Sequence, residues 1–125
     1  MQKCIVSHAG NRDYYQLALA LQELSALDSL VTDVYIPNLL NKFFNKNQPI
    51  SSAKTRIVKK SFLEFLKRKA GFKFDFSISD KAISKYSLDL AMKKECNLFS
   101  YSYYAYDAFR FLKDHNLPNK RFLFQ

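Results

Sequence analysis

Residues 4–35 read CIVSHAGNRDYYQLALALQELSALDSLVTDVY, and the order of residue types in this stretch decides the fold. Cys4 to Ser7 is a short, β-branched apolar run that meets a glycine turn, which predicts a buried strand. Asn11 is a candidate N-cap, and Asp13 would sit in the first helical turn, where the helix dipole favours a carboxylate. Tyr14, Leu17, Ala18, Leu21 and Leu24 then recur at helical spacing, predicting a helix that ends near Asp28 and Ser29. Leu30 to Tyr35 predicts a second strand, stopped by Pro37. Strand, helix and strand within about thirty residues make a βαβ unit with a right-handed parallel crossover. The first strand is apolar throughout instead of alternating, as a sheet covered on both faces requires.

The last third repeats this logic. Cys96 to Tyr101 predicts a strand, and Ala105, Ala108, Phe109 and Leu112 mark a helix that ends before Pro118. Arg121 to Phe124 begins another strand. The expected fold is α/β: a Rossmann-like parallel sheet with flanking helices. The chain stops inside an apolar run, so the expectation is a sheet cut short at its C-terminal end. Residues 1–125 would then form a partial N-terminal domain.

Between these parts lies a basic, variable insert over about residues 38–79. NLLNKFFNK is a candidate short helix, and Asn47 to Ser52, with Pro49, reads as a loop. Arg56 to Ala70 predicts a helix with Val58, Phe62, Phe65 and Leu66 on one side, and Gly71 is a suitable C-terminal stop. FKFDFSI, residues 72–78, alternates like a strand or an extended linker. Asp80 is then expected to cap a helix whose inner face uses Ile83, Tyr86, Leu90 and Ala91.

The 125 residues fit one domain, and 48% apolar content with twelve Phe and eight Tyr supplies a core. Two Gly and three Pro argue against disorder. Cys4 and Cys96 are too few for a disulfide framework and sit in apolar surroundings, so buried free thiols in a reducing compartment are expected. No signal peptide or membrane-span pattern is visible, since a span needs about 20 apolar residues. The expected location is cytoplasmic, at most peripheral at the inner face of a membrane. Of the net charge of +9, a net +8 falls between Lys42 and Asp75, where ten basic residues face Glu64 and Asp75.

Ligands of open parallel sheets bind outside the carboxyl ends of the strands. That rule selects Ser7, His8, Gly10, Asn11 and Arg12 after the first strand, Asp33 after the second, and Tyr101 and Ser102 after the strand near residue 98. A single Gly10 in HAGNRD is neither a dinucleotide fingerprint nor a Walker loop, so the turn suits a polar substrate instead of a pyrophosphate. His8 is either a general base or a hydrogen-bonded strand-end histidine. It is the one candidate catalytic residue. A Ser7–His8–Asp33 triad is excluded, because neighbours on a strand point to opposite faces. Asp33 binds a hydroxyl or stabilises a turn. Tyr101, Tyr103, Tyr104 and Tyr106 could stack on a ligand or cover the core. No metal site is expected.

The basic segment has three readings. Arg56, Lys59, Lys60, Lys67, Arg68 and Lys69, with Phe62, Phe65 and Leu66, could form a solvated face, lie on an anionic membrane or contact nucleic acid. Nucleic acid is disfavoured because no recognition motif accompanies the aromatics.

Two stretches resemble a known family. IVSHAGNRDYYQLALALQELSALDSLVTDVY and NLFSYSYYAYDAFRFLKDHNLPNKRFLFQ are similar to the start of group 1 glycosyltransferases of GT-B architecture. The second carries a YS turn and an A-x-x-A-F helix. The resemblance covers residues 3–37 and 96–125. It implies an acceptor-binding N-terminal segment of an enzyme that moves a sugar from a nucleotide-sugar to an acceptor hydroxyl. The acceptor would be a sugar or a lipid-linked molecule. The SHAGN and YS turns would face the cleft. No cofactor is expected in this segment, because the nucleotide-sugar would bind a second, absent domain, without which the segment is inactive. The rival expectation is a non-enzymatic basic α/β module that docks on a membrane or another anionic partner.

Overall fold

The computed structural model describes residues 2–8, 15–34, 50 and 52–124. Their elements in chain order are β1 (Cys4–Ser7), α1 (Gln16–Glu23), β2 (Leu27–Thr32), a 3-10 turn (Ser52–Lys54), β3 (Thr55–Ile57), α2 (Lys59–Lys69), α3 (Phe76–Lys94), β4 (Asn97–Tyr101), α4 (Ser102–Asp114) and β5 (Arg121–Phe124). The strands form one sheet in the order β3-β2-β1-β4-β5, and every pairing is parallel. The fold is the Rossmann-like α/β arrangement that the opening stretch predicts. The chain builds outward from β1 to β3, then returns to the other side of β1 for β4 and β5. The strand order therefore reverses between β1 and β4, which is the switch point where open α/β sheets leave a crevice.

Both faces of the central strands are covered. Ile5, Val31 and Leu98 pack against Ile83 and Ala91 of α3 and Ala108 and Leu112 of α4. Val6, Leu27 and Leu30 pack on the opposite face with Tyr15, Ala18 and Ile50. Two-sided burial is why β1 is an apolar run without alternation, and in β2 every residue except Asp28 is buried although Ser29 and Thr32 are polar.

Several boundaries differ from the sequence expectation. The first helix starts at Gln16, behind Tyr15 at φ 59°, and ends at Glu23 instead of near Asp28. Ser25 at φ 55° stops it: its N–H donates to the Gln22 carbonyl while the Ala26 N–H reaches the Leu21 carbonyl. The chain is thereby freed to enter β2 at Leu27, three residues before the expected Leu30. Asn11, Asp13 and Tyr14, Tyr35 and the NLLNKFFNK segment lie outside the described residues. Thr55–Ile57 is a strand and not the start of a helix, because its backbone pairs with Leu30 to Thr32. Residues 72–75 are loop, and α3 is capped by Asp75, which accepts from the Ser77 N–H at 2.8 Å, instead of by Asp80. Tyr86 is exposed, and Ser84 and Ser87 take the inner positions beside Ile83 and Ala91.

Two tethers fix the height of α3 against the sheet. At the amino edge the Lys94 ammonium meets Asp28 Oδ2 at 2.7 Å. At the carboxyl edge the Ser7 hydroxyl meets that of Ser87 at 2.9 Å. The helix runs antiparallel to the strands and Ile83 still packs against Ile5 and Val31, so only its turns before Ile83 reach past the sheet core, a rise of about 10 Å from Phe76 to Ile83. The α2 helix lies alongside it as an antiparallel partner. Ser61 Oγ donates to the Ser79 carbonyl at 2.9 Å, and Glu64 Oε2 accepts from the Asp75 N–H at 2.9 Å. Gly71, at φ 78°, makes the tight exit from α2 that the sequence predicts. The two helices thus form a hairpin whose tip projects past the sheet. No helix among the described residues is long and apolar enough to cross a membrane.

Candidate functional site

In-register pairing brings the carboxyl-end residues into two rows. Ser7 pairs with Val31 on one side and with Ser100 on the other, and Ser100 pairs with Leu123. One residue further along, the next row is Thr32, His8, Tyr101 and Phe124. Successive side chains of a strand point to opposite faces, so the two rows diverge.

The first row turns toward α3. Ser7 is fully buried and its hydroxyl is committed to Ser87, whose own hydroxyl donates to the Ile83 carbonyl at 2.7 Å. Ser100 is buried as well. Ser7 therefore braces the helix against the sheet and does not face the opening.

The second row carries the aromatic groups. The His8 and Tyr101 rings meet edge to face, with centroids 4.5 Å apart at 87°. The Tyr15 ring, at the entrance to α1, lies 5.7 Å from the His8 ring at a tilt of 48°, and the Tyr101 ring lies 5.7 Å from that of Phe124. His8 is 2% exposed, its N–H donates to the Val31 carbonyl, and its imidazole lies behind the two tyrosines. Tyr101 is half-buried and Ser102, the first residue of α4, is exposed. Asp33 lies one residue beyond the level of His8 on the neighbouring strand, is buried, and accepts from Thr32 Oγ1 at 3.3 Å.

The structure thus brings His8, Tyr101, Ser102 and Asp33 to one edge of the sheet and turns Ser7 away from it. Gly10, Asn11 and Arg12 lie outside the described residues. Tyr103 and Tyr106 are exposed on α4, so Tyr101 is the tyrosine of SYSYYAY seen to join the row. Tyr15 and Phe124 belong to this aromatic collar although the sequence reading did not select them. No local sequence signal marked either: Tyr15 joins through its left-handed backbone, and Phe124 through its register with Tyr101.

The collar presents the exposed Ser102 hydroxyl and the half-buried Tyr101 ring, with the His8 imidazole and the Asp33 carboxylate buried beside them. Such a set suits a ligand that presents several hydroxyls on an apolar frame. Among the described residues no group of three or more His, Cys, Asp or Glu side chains gathers as a metal ion would need. Both cysteines are free and buried, and burial raises their thiols above the ordinary range, which keeps them protonated.

The basic residues divide. Arg56, on β3, folds back so that Nη1 donates to the Ala53 carbonyl at 3.0 Å. Lys59, Lys60, Lys67, Arg68 and Lys69 all lie on α2, and Lys67 pairs with Glu64 at 2.9 Å. Phe62 and Leu66 are exposed instead of lining an inner face, which Ser61 and Glu64 provide.

No protein-family model matches the chain, and neither a curated protein nor a solved structure matches it.

Proposed function

We propose that the chain is the acceptor-binding lobe of a GT-B glycosyltransferase, with the nucleotide-sugar held by a second lobe outside these 125 residues. The observation that carries this reading is the His8–Tyr101 contact at the point where the strand order reverses. The resemblance of residues 3–37 and 96–125 to the family supplies the reaction. An acceptor hydroxyl would bond to the anomeric carbon as the carbon–oxygen bond to the diphosphate breaks. The electron pair would leave with the diphosphate, and the hydroxyl proton would pass to a base. His8 is the candidate for that proton, and Tyr101, Ser102 and Asp33 are the candidates for orienting the acceptor. The lobe alone would transfer no sugar.

The test is a titration followed by NMR, with an alkyl β-glycoside and with uridine diphosphate as separate probes. The glycoside is expected to shift the His8 and Tyr101 ring signals, and Tyr101→Ala to abolish the effect. Uridine diphosphate is expected to leave them in place. Binding of the diphosphate at His8, or no response to the glycoside, would overturn the acceptor assignment.

A further inference from the structure

The tip of the α2–α3 hairpin has a composition that a solvated loop does not need. Phe72 is 69% exposed and Phe76 is 58% exposed, and Phe62, Leu63, Leu66 and Phe74 are exposed with them. Four of the phenylalanines belong to one continuous cluster. Phe62 stacks near Phe65 at 6.4 Å, Phe74 meets Phe76 edge to face at 4.9 Å, and the Arg68 guanidinium lies 5.6 Å from the centres of both Phe65 and Phe76. The Lys69 ammonium lies 5.7 Å from the Phe65 ring. Lys59, Lys60, Lys67 and Lys73 complete the positive charge of the hairpin. The two carboxylates of residues 59–75 are already engaged: Glu64 by Lys67 and the Asp75 N–H, and Asp75 by the Ser77 N–H. Neither neutralises the remaining cations.

We infer that this tip docks the protein on an anionic lipid bilayer, with Phe72, Phe74 and Phe76 entering the interface and the lysines and Arg68 meeting lipid phosphates. Charge complementarity selects an anionic surface. Three features select a bilayer over a protein groove or a nucleic acid. The aromatic groups are phenylalanines, which carry no hydrogen-bonding atom. They stand on a projection and not in a concavity. They are flanked by long cationic side chains that can keep their charges at headgroup level while their stems follow the apolar groups down. The tip also projects beyond the carboxyl edge of the sheet, the edge that carries His8 and Tyr101. Docking by the tip therefore holds that edge toward the bilayer. The inference rests on the hairpin and not on sugar transfer. If both hold, the acceptor is a lipid-linked one.

The experiment is co-sedimentation of the whole chain with vesicles of phosphatidylcholine and with vesicles of equal parts phosphatidylcholine and phosphatidylglycerol, at low and high salt. Binding is expected with the anionic vesicles and is expected to weaken with salt. Phe72→Ser is expected to lower partitioning about tenfold, from the apolar burial that one phenylalanine loses. Removing one lysine, as in Lys73→Gln, is expected to lower it about fivefold. The chain contains no tryptophan, so Phe72→Trp gives a single reporter. Its emission is expected to shift to the blue on anionic vesicles and to be quenched by brominated lipid. Tyr106→Trp, at an exposed position on α4, is expected to do neither. Equal binding to both vesicle types, unaltered Phe72→Trp emission on bound protein, or tighter binding to a DNA duplex than to anionic vesicles would overturn the inference. Because the glycoside titration uses no lipid, failure of either test leaves the other standing.

Discussion

Ser7 and His8 are chain neighbours with opposite tasks, and the pleat of one strand separates them. The Ser7 hydroxyl is the donor to Ser87, because the Ser87 hydrogen is committed to the Ile83 carbonyl. Ser7→Ala removes one buried hydrogen bond and is expected to cost about 1 kcal/mol. Ser87→Ala leaves the fully buried Ser7 hydroxyl without its partner and is expected to cost more, about 1–3 kcal/mol. Denaturant unfolding of the two variants checks both the size and the order of the effects. The sequence placed both residues at a strand end and excluded their acting together. It could not say which of them faced the opening, since alternation fixes only that they differ. That choice is made by the helix covering one face, eighty residues away in the chain. Asp33, Tyr101 and Ser102 were legible from strand ends alone, whereas Tyr15 entered the collar through a left-handed backbone turn that no local pattern announced.

The α2–α3 hairpin is the element where local pattern misled most. Phe72, Phe74 and Phe76 alternate as a strand would, yet no strand among the described residues pairs with them and Asp75 caps a helix instead. The deciding contact is non-local: Glu64 accepts the Asp75 N–H across the hairpin. The Lys67 ammonium, then the Asp75 N–H, hold the Glu64 carboxyl below its ordinary value of 4.5. A carboxyl whose folded value is lowered stabilises the fold fully above its unfolded value, and that contribution is lost as pH falls through the lowered value. Acidification through that lowered value is therefore expected to loosen the hairpin turn. Amide exchange at Asp75 checks this, and Glu64→Gln is expected to remove the pH dependence. Exchange at Asp75 that stays slow through that range in the native protein would contradict the assignment. The three-residue β3 was missed for a related reason, since Thr55 to Ile57 owes its extended form to pairing with β2 and not to its own composition.

At the scale of the whole molecule, burial made the architecture readable. Strands hidden on both faces must be apolar runs, and helices that cover them must repeat their apolar residues at helical spacing, so the βαβ order could be read directly. The sheet order and its reversal between β1 and β4 are consistent with that reading, and they create the edge on which the proposed acceptor site depends. The chain's charge is organised on the same scale: the cations of residues 59–73 sit on a projecting hairpin, while the polar collar lies at the sheet edge. The acceptor site is tested most directly by photolabelling the protein with an alkyl glycoside bearing a diazirine, followed by mass-spectrometric mapping of the adducts. Labelling is expected at the carboxyl ends of β1 and β4, at His8, Tyr101 and Ser102, suppressed by Tyr101→Ala. Adducts confined to the outer face of α4 or to the β3 edge, with none at His8 or Tyr101, would contradict it.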